Sequence, residues 1–460
     1  MPTECISDQY DFEGFDGRRV VVAFDGGSIT TNAGALLLRH TNEAIDLFGR
    51  VASCFEDHRA EELVVHTLPA MVGQRIAGIA LGYEDIEDHD ELRFDPVLAL
   101  LSDRLEPKRD DCAALAGKST LNRLEHAPCG APSRYHRIGH DGAAIEDLFV
   151  DLFVEAHDRA PKQITLDLDA TDDPIHGHQE GRFFHGYYDC YCYLPLYIFS
   201  GRHLLAAKLR RSNIDGAAGA TDEVKRIVGR IRQRWPRTRI LLRADSGFAR
   251  EALMAWCEAN GVDYLFGLAR NDRLMAEIAD ELAAAEAEHR ETGEPARRFA
   301  DFMYTTRNSW SRRRRVVGKA EHLDKGANPR FIVTSLAASE HGARELYEDL
   351  YCQRGEMENR IKECQLDLFA DRTSAKTMRA NQLRLWFASF AYVLIDSLRR
   401  LGLRHTRLET ATCATIRLKL LKLGARVTVS VRRIKISMAS AHPWQQEFAL
   451  AHERIPGAAR

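Results

Sequence analysis

Two aspartates stand at the ends of apolar runs. In Gln163 to Asp169, Ile164, Leu166 and Leu168 alternate with Thr165, Asp167 and Asp169, the period of a strand with two unlike faces. Arg239 to Ala244 is a second apolar run, followed by Asp245-Ser246-Gly247-Phe248. A carboxylate just past a buried strand sits at a sheet rim, where α/β folds bind their ligands. A third acid, Glu358, belongs to the series Tyr347, Tyr351, Arg354, Glu358, Lys362, spaced by four, three, four and four residues. At 3.6 residues per turn these side chains share one face of a helix. Leu346, Leu350, Met357 and Ile361 form an apolar stripe beside it. Three carboxylates gathered at one point repel unless cations lie between them. Oxygen donors suit hard divalent ions such as Mg²⁺. Two such ions about 4 Å apart activate an attacking oxygen and stabilise a leaving one in phosphodiester cleavage. Taken singly, each aspartate also fits a strand-end cap, and the helix face also fits a solvated surface.

The elements that must position these residues follow from the pattern on either side. Residues 187–199 and 203–210 read as strands joined by the turn Ser200-Gly201-Arg202. Residues 221–235 and 249–260 read as helices flanking the strand 239–244, and 264–268 as a further strand. The order strand, strand, strand, helix, strand, helix, strand predicts a mixed α/β sheet with helices on its faces. Residues 272–290 read as an Ala/Glu-rich helix, and Phe299–Thr306, Arg314–Ala320 and Phe331–Ser335 as short strands. The helix bearing Glu358 follows, then helices over 374–400 and 408–423 and a basic strand at Val427, Val429 and Val431. Upstream, helices fit 32–48, 60–82, 96–104, 119–126 and 142–157. The patterning divides the chain into a leader (1–20), a mainly helical N-terminal domain (21–158), an α/β core (159–270 and 337–372), an insertion with short strands (271–336) and a basic C-terminal helical region (373–460).

With 460 residues, 45% hydrophobic and 28% charged, the composition is that of a globular protein. The longest apolar run, Trp386 to Ile395, is too short to span a bilayer. The acidic start (Glu4, Asp8, Asp11, Glu13) carries no secretory signal. Ten cysteines are too sparse for a disulfide framework, and free thiols in a cytoplasm are expected. The net charge of −3 hides an asymmetry: residues 371–460 hold seventeen Lys and Arg against five Asp and Glu, a net +12. Such a segment suits a polyanion, or a solvated surface. His176, His178, His185, Cys190 and Cys192 match no common zinc spacing.

Asp169-Ala170-Thr171, Arg243-Ala244-Asp245-Ser246-Gly247-Phe248 and Tyr351 with Arg354 and Glu358 resemble the three signatures of DDE transposases of bacterial insertion sequences. The resemblance is to the cut-and-paste branch whose RNase H-like core carries a β-strand insertion before the last catalytic helix. There are 75 residues between Asp169 and Asp245 and 112 between Asp245 and Glu358, and the long second gap accommodates that insertion. The resemblance implies an RNase H-like mixed sheet with helices on both faces, and a catalytic, metal-binding triad of Asp169, Asp245 and Glu358 holding two Mg²⁺ (or Mn²⁺) ions. It implies that Tyr351, Arg354 and Lys362 contact DNA, and that Trp310 in the insertion stacks on a base flipped out during hairpin formation. Arg312, Arg313, Arg314 and Arg315, which follow Trp310, are read as phosphate contacts or a solvated edge. The family's signature ends with a lysine seven positions after the glutamate, where this chain has Gln365. Asp167 and Asp172 are alternatives to Asp169. The implied partners are transposon ends, target DNA and a second copy of the chain, with no membrane and no organic cofactor, in a bacterial cytoplasm. A nuclease that cuts without joining and a catalytically silent DNA-binding descendant are the rival readings.

Overall fold

The run ending in Asp169 forms the middle of a large mixed sheet in the computed structural model, which describes residues 9–106, 108–130 and 136–456. Its eight main strands are β1 (Gln163–Ala170), β2 (Leu196–Ser200), β3 (His203–Lys208), β4 (Arg239–Ala244), β5 (Asp263–Leu268), β6 (Ala296–Tyr304), β7 (Arg314–Leu323) and β8 (Arg330–Thr334). They lie in the order β3-β2-β1-β4-β5-β8-β7-β6, with the two-residue strand Gly326–Ala327 paired to β7. β1, β4 and β5 run parallel, while β2 and β3 on one side and β8 on the other are antiparallel to their neighbours. Leu168 pairs with Ala244, so β1 and β4 end side by side and deliver Asp169 and Asp245 to the same rim.

Both faces of the sheet are covered, because successive side chains on each strand point to opposite sides. Leu242, Phe266 and Val316 belong to one core, with Val150 and Phe153 of helix α1 (Gly142–Glu155), Val224 and Ile227 of α2 (Ala220–Arg234) and Leu253 of α3 (Glu251–Ala259). Their neighbours Leu241, Leu265, Val317 and Ile332 face the other way and meet Leu346 and Tyr347. This two-sided burial accounts for the nearly continuous apolar runs of β4 and β5. Helix α4 (Ala279–Thr292) packs on β6 and β7.

Several expectations change. The strands placed in a separate insertion extend the main sheet: β8 pairs with β5, and β7 and β6 follow. The physical reason is that β5 would otherwise present an unpaired edge. The chain divides into two compact units, one of Asp141–Ser389 and one of Met1–His140 with Phe390–Arg460. Helix α1, expected in the N-terminal domain, therefore belongs with the sheet, packed on β3 and α2. The leader is not featureless. Gln9–Phe15 and Arg18–Ala23 form a hairpin, with Asp16 and Gly17 at positive φ in its turn, while residues 1–8 lie outside the described residues. The other unit holds the helices Leu36–Ile45, Leu47–Ala52, Leu68–Ala80, Pro96–Leu101 and Lys118–Glu125. Its C-terminal part is less helical than expected. The helix placed at 408–423 shrinks to Cys413–Ile416 and a short π-helical turn, and β9 (Ala425–Ser430) and β10 (Arg433–Met438) form a ribbon whose inner strand pairs with Ile29–Thr30. Among the described residues, no helix is long and apolar enough to cross a membrane, and the nine cysteines are free thiols.

Candidate active site

The end of β4 turns directly into a single 3-10 turn, Ser246–Phe248, which Asp245 caps: its Oδ1 accepts the Gly247 amide at 2.8 Å. Asp169 Oδ1 likewise accepts the amide of Ala170 at 3.0 Å. Each aspartate is thus fixed by its own backbone, with Oδ2 left outside these turns. The third acid arrives on a helical run from Ala343 to Asp367. This run is not uniform: it widens to π-helical turns at Leu346–Tyr351 and Glu363–Asp367, and α5 (Gly355–Lys362) lies between them. The wider turn alters the expected face. Tyr347 is buried against the sheet, whereas Arg354, Glu358 and Lys362 remain in line on the outer side. Such π-helical insertions recur at functional sites.

Arg354 joins the acids. Its guanidinium lies 3.7 Å from Asp169 and donates to Glu358 Oε1 at 2.9 Å. Burial pushes the Asp169 carboxyl up to about 7; Arg354 opposes that shift, and the charges of Asp245 and Glu358 add to it. The three acids therefore feel one another electrostatically. Among the described residues, however, no three His, Cys, Asp or Glu side chains are gathered tightly enough to hold a metal ion. The expected convergence on one point is replaced by an arrangement in which Arg354 supplies the positive charge. That donor set, all oxygen with an excess of negative charge answered by a cation, fits a hard divalent ion in chemistry.

Two neighbours shape the rim. Tyr351 lies against Gly267 on β5. A Cβ there would come within 2.6 Å of the Tyr351 hydroxyl and 2.9 Å of the Ser246 amide, so only glycine admits this approach. Burial raises the Tyr351 phenol above its ordinary range, with Arg354 opposing and Asp245 adding to the shift. Lys362 is exposed and has no ion-pair partner among the described residues.

The competing carboxylate Asp167 is committed elsewhere. It is buried in a two-pronged pair with Arg243, at 2.5 Å and 2.9 Å. Arg243 also donates to the carbonyl of Leu350. One guanidinium therefore joins β1, β4 and the helical run that carries Glu358. Sequence reasoning gave Arg243 no role. Its signal was a pair of charges, Asp167 and Arg243, inside otherwise apolar strands, where unpaired charges are almost never buried. Gln365 also acquires a place: its Nε2 donates to the Asp173 carboxylate at 2.8 Å and to the Asp172 carbonyl at 3.0 Å. A buried acid occupies the amide where the family's lysine would stand.

The residues after β6 are corrected. Arg314 and Arg315 are buried, the first between Glu251 and Glu258, the second on Asp301 and the carbonyls of Leu336 and His341. Their charges hold the sheet together and are not presented to phosphate. Arg312 and Arg313 remain exposed, Arg312 at 3.4 Å from Glu258. Trp310 is half-buried, edge-on to Tyr304 with Arg314 over its ring. His185 and Cys190 are paired across a small three-stranded sheet with Cys192 buried beside them.

A family model described as Transposase DDE domain group 1 matches residues 12–459. The chain belongs to this family. Membership makes it a transposase, implies DNA as its partner and implies a need for divalent metal ions. Among curated proteins, none matches the sequence. A solved structure described as a cryo-EM structure of piggyBac transposase synaptic complex with hairpin DNA is similar over 85% of this chain and 79% of that one, with a TM-score of 0.42 and 10% identity.

Proposed function

We propose that this transposase excises an insertion sequence at its terminal inverted repeats and joins it to target DNA, with Asp169, Asp245 and Glu358 as its cleavage centre. The observation that carries the reading is the delivery of Asp169 and Asp245 to one rim by paired parallel strands, with Glu358 tied to Asp169 through Arg354. The strand order β3-β2-β1-β4-β5, three antiparallel strands followed by two parallel to the first, supports an RNase H-like core. Two Mg²⁺ or Mn²⁺ ions bound by the three carboxylates would activate the attacking oxygen and neutralise charge on the leaving one.

The chain's own residues supply the rest. The aspartates are pre-oriented by their backbone hydrogen bonds. Arg354 holds Glu358 and Asp169 in register, and on DNA binding its fork suits a phosphate. Exposed Lys362 offers a second positive charge one turn beyond Glu358. Gln365 braces the loop after β1 and does not reach for DNA. In the proposed sequence, water attacks a phosphorus at the element's end and the 3′-oxygen leaves with a proton. That 3′-hydroxyl then attacks a phosphorus of the opposite strand, expelling the flanking DNA's 3′-oxygen as a hydroxyl and closing a hairpin on the element. Water reopens the hairpin at the same phosphorus, releasing the element's 3′-hydroxyl, and the freed 3′-hydroxyls attack phosphorus atoms of target DNA, each displacing a target 3′-hydroxyl. No nucleophilic Ser or Cys is required.

The test uses DNA that flanks the gene, incubated with the purified chain and Mg²⁺. Nicks at inverted repeats followed by hairpin and joined products are expected. Nicking without any joined product would select the nuclease reading, and binding without nicking would select the silent one.

A further inference from the structure

The ribbon of β9 and β10 has two sharply different faces. Its register pairs Arg426 with Ser437, Thr428 with Lys435 and Ser430 with Arg433 on one face, and Ala425 with Met438, Val427 with Ile436 and Val429 with Ile434 on the other. The apolar face is anchored at its base by Ala33, Leu423 and Phe448. The opposite face is exposed and consists of three cations and three hydroxyls. The turn adds Arg432 beside Val431, which is fully exposed. No acid occurs between residues 425 and 438.

Elsewhere in the chain, arginines are commonly matched. Arg75, Arg226, Arg230, Arg243, Arg297, Arg314 and Arg399 all meet carboxylates. Among the described residues, Arg426, Arg432, Arg433 and Lys435 form no ion pair. A lysine on an edge strand is a common guard against unwanted pairing. That role accounts for Lys435 and Arg433 on β10. It does not account for Arg426 on the inner strand, nor for a facing row made entirely of groups that bond phosphate.

We infer that the β9–β10 ribbon is a DNA-contacting arm of the transposase, its Arg426, Arg433, Lys435, Thr428, Ser430 and Ser437 face laid against the phosphates of duplex DNA. The inference rests on the transposase reading and assigns part of its DNA grip to a segment remote in sequence from the carboxylates. A two-stranded antiparallel ribbon is one of the two protein shapes that the major groove admits. Hydroxyls and cations are the side chains that most often hold the DNA backbone. The fully exposed Val431 in the turn suits contact with sugars or thymine methyl groups.

The test measures binding of the full-length chain to a random-sequence duplex over a range of salt, without divalent metal. Each phosphate contact contributes about 0.9 to the slope of log affinity against log salt. The triple variant Arg426→Gln/Arg433→Gln/Lys435→Gln is expected to lower that slope by about 2 to 3 and to weaken binding at least about tenfold at moderate salt. Its thermal unfolding should match wild type, because the anchoring face is untouched. The charge-conserving variant Arg426→Lys/Arg433→Lys/Lys435→Arg should keep the wild-type slope. A triple variant with wild-type affinity and slope would overturn the assignment. So would equal losses in the neutral and charge-conserving variants, or tighter binding of wild type to single-stranded RNA of the same length. If wild type itself shows no salt-dependent binding to duplex, the transposase reading fails, and the ribbon inference falls with it.

Discussion

Asp173 lies four residues past Asp169 and is fully buried. Its Oδ1 takes the Gln365 amide, while its Oδ2 and the nearby buried Tyr197 hydroxyl have no hydrogen-bond partner among the described residues. Burial pushes the carboxyl up to about 8, with Gln365 opposing and Asp371 and Asp172 adding to the shift. An aspartate in the unfolded chain titrates near 4. Between those two values the folded state keeps a proton that the unfolded chain has lost, so stability falls as pH rises. Asp173→Asn retains an acceptor for Gln365 and removes the titration. Denaturant unfolding should show the variant level with wild type near pH 4 and more stable by pH 8, the gain growing between them to on the order of 5 kcal/mol. A gain independent of pH would contradict this. At this scale the sequence was partly legible. Strand-end aspartates announce themselves by position, so Asp169 and Asp245 stood out. The partners of Gln365 and Asp167 did not, because they depend on which strands become neighbours.

At the scale of elements, Arg243 has the widest reach. Its pair with Asp167 crosses from β4 to β1, and its third contact holds the carbonyl of Leu350 in the π-helical turn. Removing one partner of a buried pair strands the other charge. Arg243→Met should therefore destabilise the fold by about 3–5 kcal/mol. Replacing both, as Arg243→Met/Asp167→Leu, should recover most of that stability, since apolar groups of similar size often serve as well. DNA nicking by the double variant should stay slow, because the Leu350 carbonyl then loses its hydrogen bond to β4 and the Glu358 helix is held less firmly at the rim. Urea unfolding and nicking rates separate the two effects, and a double variant with wild-type nicking would show that the tie is dispensable. Regular elements were the most legible part of the chain: β1, β4, β5, α1 and α2 lie within a few residues of their expected bounds. The N-terminal hairpin falls within the expected leader, although Asp16-Gly17 is a favoured hairpin-turn pair. The irregular turns of the Glu358 helix left no periodic trace that could be read in advance.

At the scale of the whole molecule, the sheet was foreseen as mixed and covered on both faces, and its extension through β8, β7 and β6 was not. A local pattern shows that a strand exists, whereas membership in one sheet depends on a free edge elsewhere, here that of β5. The same limit hid the composition of the second unit, which combines residues from both ends of the chain. What unites the molecule's function is the claim that Asp169, Asp245 and Glu358 form one metal-dependent cleavage centre. Asp245→Cys tests that claim most directly, because thiolate is a poor ligand for Mg²⁺ and a better one for softer Mn²⁺. The substrate is a duplex carrying the element's end. Single-turnover nicking in Mg²⁺ should fall by about a hundredfold or more, as losses of oriented charge at a reacting centre do. Binding of the duplex should be unchanged, and exchange of Mg²⁺ for Mn²⁺ should restore part of the nicking. Near-wild-type nicking by the variant in Mg²⁺ would contradict the assignment.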